Sequence, residues 1–200
     1  MIYCAGKCES FSFAKSIGVG LVESAINLTL SIMHDKPSEI VFIGTCGAYN
    51  VESQLLEIIE STSAANIELS FLQNQSYTPL DNFVNVSYET MGENLDKDTS
   101  KNKNVSHETF NLENAKSQNI INSSNYISTD SGLADRLLKL GILYENMEFF
   151  SILQVAKAFN IPALGIFCIT NHIHKDAQKE FLENHNAAKQ KLESYIKSKF

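Results

Sequence analysis

The chain has 200 residues, 44% of them hydrophobic and 20% charged, a composition that excludes collagen-like and wholly disordered classes and fits one soluble domain with a core of its own. Sixteen basic residues against twenty-three acidic ones leave a net charge of -7, which repels a phosphate backbone at long range and argues against nucleic acid as a partner. The apolar runs Ile40 to Ile43 and Ala163 to Ile169 fall far short of the roughly 20 residues a bilayer crossing takes, and no basic region followed by an apolar segment opens the chain, so a cytoplasmic protein with no membrane partner is expected.

In chain order, Met1 to Ala5 reads as a first strand and Phe11 to Phe13, with period-two spacing, as a second. Gly18 and Gly20 then form a loop into a helix whose apolar positions run from Leu21 to Met33, and Pro37 ends that helix by Asp35 because the residue before a proline is turned away from the α region. Ser38 to Ile43 is a buried strand ending in Gly44-Thr45-Cys46-Gly47-Ala48, a glycine turn at a strand's carboxyl end, where α/β folds collect ligands. Leu55 to Phe71 reads as further strand and Asn82 to Thr90 as an edge strand. The stretch from about 92 to 125, rich in Asn, Lys, Ser, Asp and Glu, reads as a polar surface excursion. Beyond it the pattern gives a short strand at Tyr126 to Asp130, a helix at Ser131 to Leu140, a core helix at Met147 to Asn160 stopped by Pro162, a buried strand at Ala163 to Thr170 and an amphipathic helix at Ala177 to Phe200. No internal repeat is present, so residues 1 to 200 are read as a single domain.

Three segments together carry a resemblance. Ser16-Ile17-Gly18-Val19-Gly20, a helix and the strand Ile40 to Ala48 form the first. Asn146-Met147-Glu148 at a helix start is the second, and Asn160-Ile161-Pro162 leading to Ile169-Thr170-Asn171 is the third. Their order and spacing resemble the nucleoside phosphorylase and nucleosidase superfamily, which contains purine nucleoside phosphorylases and methylthioadenosine/adenosylhomocysteine nucleosidases. The resemblance implies a three-layer α/β/α fold with a central mixed sheet, and cleavage of the N-glycosidic bond of a purine nucleoside.

It also implies roles. Glu148 accepts hydrogen bonds from the ribose hydroxyls, Met147 walls the sugar, and Gly20, Thr45, Cys46 and Gly47 surround a phosphate or a water. Thr170 and Asn171 face the base, which makes Asn171 and Glu148 the catalytic candidates. Where nucleosidases resembling this chain carry an aspartate that protonates the base, this chain has Asn171, as the trimeric phosphorylases do, which points to 6-oxopurines. Phosphorolysis is therefore the first expectation, with phosphate as co-substrate and no cofactor. The single arginine, Arg136, and Phe42 at the position of a phosphate-binding arginine favour the alternative, hydrolysis by a nucleosidase or a futalosine hydrolase-like enzyme. A third reading is a weakened relative that binds a nucleoside or an oligomer partner without turnover. The resemblance leaves no counterpart to the family's first strand and its water-activating acid, for which Glu9 is the nearby substitute, and it implies a homo-oligomer.

Plainer readings stand beside these. Glu148 also suits the first turn of a helix through the helix dipole, and Asn171 suits a turn or an N-cap. Cys4 and Cys8 lack a matching pair of ligands, and His172 and His174 point oppositely if extended, so no metal is expected and both are read as surface histidines.

Overall fold

A computed structural model describes residues 1–88 and 119–200. Among these residues lie nine strands and five helices: β1 (Ile2–Cys4), β2 (Lys15–Ser16), α1 (Leu21–Asp35), β3 (Ile40–Ala48), β4 (Ile58–Ser61), β5 (Ser63–Ala65), α2 (Leu69–Leu72), β6 (Phe83–Asn85), β7 (Ile120–Asn122), α3 (Ser131–Lys139), β8 (Ile142–Glu145), α4 (Phe149–Ala158), β9 (Ala163–His172) and α5 (Ala177–Lys199). The nine strands form one mixed sheet.

The sheet is built around β3 and β9, its two longest strands, which are buried along almost their whole length. They pair in parallel, Val41 opposite Leu164 and Ile43 opposite Ile166, with all four side chains buried. Alternation along the strands then sorts the core into two faces. Ile40, Phe42 and Phe167 meet Leu28 and Ile32 of α1 and Phe149, Ile152 and Leu153 of α4. Val41, Ile43, Leu164 and Ile166 meet Ala188, Leu192 and Ile196 of α5. Two helical layers about a mixed sheet are the expected α/β/α arrangement.

Several elements differ from the sequence reading. The second strand is the short β2, while Phe11 packs from a loop into the α5 layer. The span 55–71 divides into β4, β5 and the start of α2. No strand forms at Tyr126 to Asp130, whose backbone is held by side chains instead: Ser124 Oγ accepts from Tyr126 N, and Glu145 Oε1 from Ser128 N. Most of the polar excursion lies outside the described residues, but its end is interior, for Ile120, Ile121 and Asn122 make the buried strand β7 between β5 and β8. Asn122 tolerates that place because its side-chain amide pairs with both the N–H and the carbonyl of Ile67. Among the described residues no helix is long and apolar enough to cross a membrane.

Candidate active site

The site grows from a split in the sheet. On one edge of β3, β1 pairs with Val41 to Ile43 and β8 with Gly47 and Ala48, so the ladder is open at Thr45 between them. Buried backbone groups left open need partners, and here two side chains supply them. Thr45 N donates to Glu9 Oε1 at 3.2 Å, and Asn146 Nδ2 donates to Thr45 O at 3.1 Å. The Thr45 hydroxyl also donates to Glu9 Oε1. The loop after β1 therefore places a buried acid against the glycine turn, and Glu9 stands where the sequence offered it only as a substitute.

Glu148 faces the same opening. It is the residue before α4, and its carboxylate accepts from Gly20 N at 2.9 Å, which ties the Met-Glu motif to the glycine loop 128 positions earlier. Gly20 adopts a φ of 82°, and a Cβ there would lie 2.8 Å from Asn125 Oδ1, so both conformation and space call for glycine. Asn125 Oδ1 in turn accepts from Leu21 N at the start of α1. Asn146 fixes the turn into α4 by accepting from the N–H groups of Glu148 and Phe149, both at 3.0 Å. Met147, between them, is partly exposed.

Burial pushes Glu148 up to about 7, and the negative charge of Glu9 adds to the rise, which places the two carboxylates within electrostatic reach of each other. Glu9 is likewise raised by burial, against the opposing hydrogen bonds of Thr45 and the positive field of His185 and Lys189 on α5. Two acids with high proton affinity across one opening suit a cationic species between them.

At the far end, a register shift between Cys46 and Gly47 brings Asn171 opposite Gly47. Thr170 Oγ1 shares its proton between Cys46 O at 3.3 Å and Asn171 Oδ1 at 3.0 Å, which orients the amide with Nδ2, one of whose protons goes to His172 O at 3.3 Å, toward Gly47. The structure thus gathers Gly20, Thr45, Cys46, Gly47, Met147, Glu148, Thr170 and Asn171 about the carboxyl end of β3 and β9. Arg136 belongs elsewhere: its Nη1 donates to Leu72 O beside α2.

Sequence reasoning named Asn146 only as part of its motif and gave no role to Asn125 or Glu145; each serves a backbone group that only the folded chain brings near it. It also misplaced two histidines. His172 and His174 both turn to Glu180, at 3.6 and 3.0 Å, and the three offer ligand atoms within 4.8 Å of one another. His174 Nδ1 accepts from Asp176 N, so its Nε2 proton is free to donate to Glu180, while His172 Nε2 donates to Ser53 O.

The profile of the family described as the phosphorylase superfamily matches residues 6–198. A purine nucleoside phosphorylase (DeoD-type 2) of Photobacterium profundum is 25% identical over 178 residues, covering 86% of this chain and 70% of that protein. Among solved structures, a futalosine hydrolase mutant of Helicobacter pylori superposes with a TM-score of 0.71 at 14% identity, covering 98% of this chain and 96% of the other. The 5'-methylthioadenosine/S-adenosylhomocysteine nucleosidase of the same organism gives 0.68 at 15% identity, covering 92% and 77%. At these identities the two superpositions establish a shared fold.

Proposed function

Because the chain belongs to the phosphorylase superfamily, we propose that it cleaves the N-glycosidic bond of a purine nucleoside, and that it does so by hydrolysis. The observation that carries the choice of water over phosphate is the use of both Thr45 donors on the Glu9 carboxylate. An acid on those donors repels a phosphate anion and suits a water that must lose a proton. The chain's one arginine is engaged with α2 and adds nothing to a phosphate site here.

In this reading Glu148 and Met147 hold the ribose, and Glu9 takes a proton from the water attacking C1'. The sugar passes through an oxocarbenium-like state whose positive charge lies between Glu9 and Glu148, two acids already held in place whose ionised forms stabilise it. The raised proton affinity of Glu9 makes its ionised form the stronger base. Asn171 presents an amide N–H to acceptors on the base, which favours 6-oxopurines over adenine, whose 6-amino group is a donor. Phosphorolysis is the second reading, supported by the sequence likeness to the Photobacterium phosphorylase.

One assay separates them. Inosine, guanosine and adenosine are incubated with the protein, with and without phosphate, and free base and sugar product are followed. Hydrolysis gives base and ribose at a rate indifferent to phosphate. A strict need for phosphate with ribose 1-phosphate as product establishes the second reading, and no base release under either condition rejects both.

A further inference from the structure

The leaving purine needs a proton, and Asn171 has none to transfer. A carboxyl group stands beside it. The register of β8 on β3 sets Glu145 opposite Gly47, and a Cβ at Gly47 would lie 3.0 Å from Asn171 Nδ2 and 3.3 Å from Glu145 Cγ. The amide and the acid therefore converge over the one residue there that has no side chain. The Glu145 carboxylate accepts from Tyr49 Oη on Oε2 at 3.0 Å and from Ser128 N on Oε1 at 3.1 Å, and the Ser128 side chain also hydrogen-bonds to it. Ser128 lies in the segment that also reaches the ribose end through Asn125 and Leu21 N, so Glu145 anchors the base end of a wall running along the site.

Resting on the hydrolytic reading above, we propose that Glu145 is the catalytic acid that protonates the departing purine, with Asn171 positioning the base beside it. The glycosidic bond breaks, its electron pair passes into the purine, and the Glu145 carboxyl proton goes to a ring nitrogen. Water forms the new bond to C1' and gives its proton to Glu9. Glu9 returns that proton to solvent and Glu145 takes one up, so base and ribose are the net products of nucleoside and water. Burial raises the proton affinity of Glu145 above that of an ordinary carboxylate, against the hydrogen bonds from Ser128 and Tyr49.

The test uses leaving groups of different need. Inosine requires a proton on its base, whereas 4-nitrophenyl β-D-ribofuranoside releases a stable anion. Glu145→Gln keeps one oxygen for the Ser128 N–H, and its NH2 can donate to Tyr49 Oη in place of the bond it loses, but it has no proton to give. It is expected to lower kcat on inosine by about a hundredfold or more while changing kcat on the nitrophenyl riboside less than about threefold. Should that variant fail to fold, Glu145→Asp, which draws the carboxyl back by one methylene, is expected to show the same asymmetry at smaller size. Equal losses on both substrates, or no loss on inosine, overturn the role of Glu145 while leaving hydrolysis intact. A wild-type protein that hydrolyses neither substrate overturns the hydrolytic reading and this proposal with it.

Discussion

Glu148, buried ahead of α4 with the Gly20 N–H on its carboxylate and Glu9 across the opening, keeps its proton up to about pH 7. Its folded-state pKa lies above the ordinary carboxylate range, so the stability linked to that proton is complete below about pH 4.5 and is lost as pH rises through about 7. The interval is worth on the order of 3 kcal/mol, at about 1.4 kcal/mol per pH unit. Glu148→Gln removes that dependence, and melting curves from pH 5 to 8 should show wild type losing several degrees relative to the variant. The proposed ribose contact carries the opposite sign, because the ionised acid is the better acceptor, so the wild-type KM should fall as pH rises through 7. On substrate, Glu148→Gln should cut turnover by at least about tenfold, since an amide accepts sugar hydroxyls more weakly by about 1.5 kcal/mol. Glu9→Gln addresses the other acid: a hundredfold or larger fall in kcat with KM held within about threefold marks a general base, and unchanged kcat would remove Glu9 from the reaction. Both acids were named from the sequence, Glu148 from its Met-Glu motif and Glu9 as the nearby substitute for the water-activating acid that the resemblance leaves without a counterpart. The roles of Glu145 and Asn146 were not, because their work lies in partners that chain order does not reveal.

At the scale of elements, the long periodic segments were readable and the short ones were not. The helices α1 and α5 and the strands β3 and β9 carry enough apolar residues in phase to declare themselves. The three-residue β7 ends in Asn122, whose polarity signals surface until its bonds to Ile67 are seen, and the four-residue β8 follows a helix and a glycine without a pattern of its own. The second of these strands carries Glu145 to its place opposite Gly47. The shift at Cys46 and Gly47 then decides which residue of β9 faces the turn, and it depends on space as well as on register. A methyl group at Gly47 would come within 2.8 Å of Ile173 Cδ1 and 3.0 Å of Asn171 Nδ2. Gly47→Ala should therefore displace Asn171, lowering kcat/KM by about tenfold or more at a stability cost of about 1 to 3 kcal/mol. Steady-state kinetics beside thermal melting checks this, and a variant with wild-type kinetics would mean that the position of Asn171 is irrelevant to the base.

Across the whole molecule, α1 is apolar on two sides. Leu28 and Ile32 face the core, while Val22, Ile26, Leu30 and Met33 are 66%, 55%, 59% and 65% exposed. At 100° per residue those four lie within an arc of about 80°, a continuous stripe of the kind that a helix hides against a partner. Beside it a groove of about 350 Å³ runs between α1 and α4, with Leu21, Ala25, Phe150 and Val155 in its walls. We propose that a second copy of the chain covers this face, in keeping with the homo-oligomer that the sequence resemblance implies. Light scattering should then give twice the 22.3 kDa chain mass or a higher even multiple, and Ile26→Glu with Leu30→Glu, which sets like charges face to face, should return the monomer mass. The same pair of substitutions has a catalytic consequence. Helix α1 begins at Leu21, next to the Gly20 N–H that holds Glu148, so loosening its packing raises KM before it touches the acids that drive the step. A wild-type chain that is monomeric at assay concentration with full activity would overturn both the interface and its link to the ribose clamp.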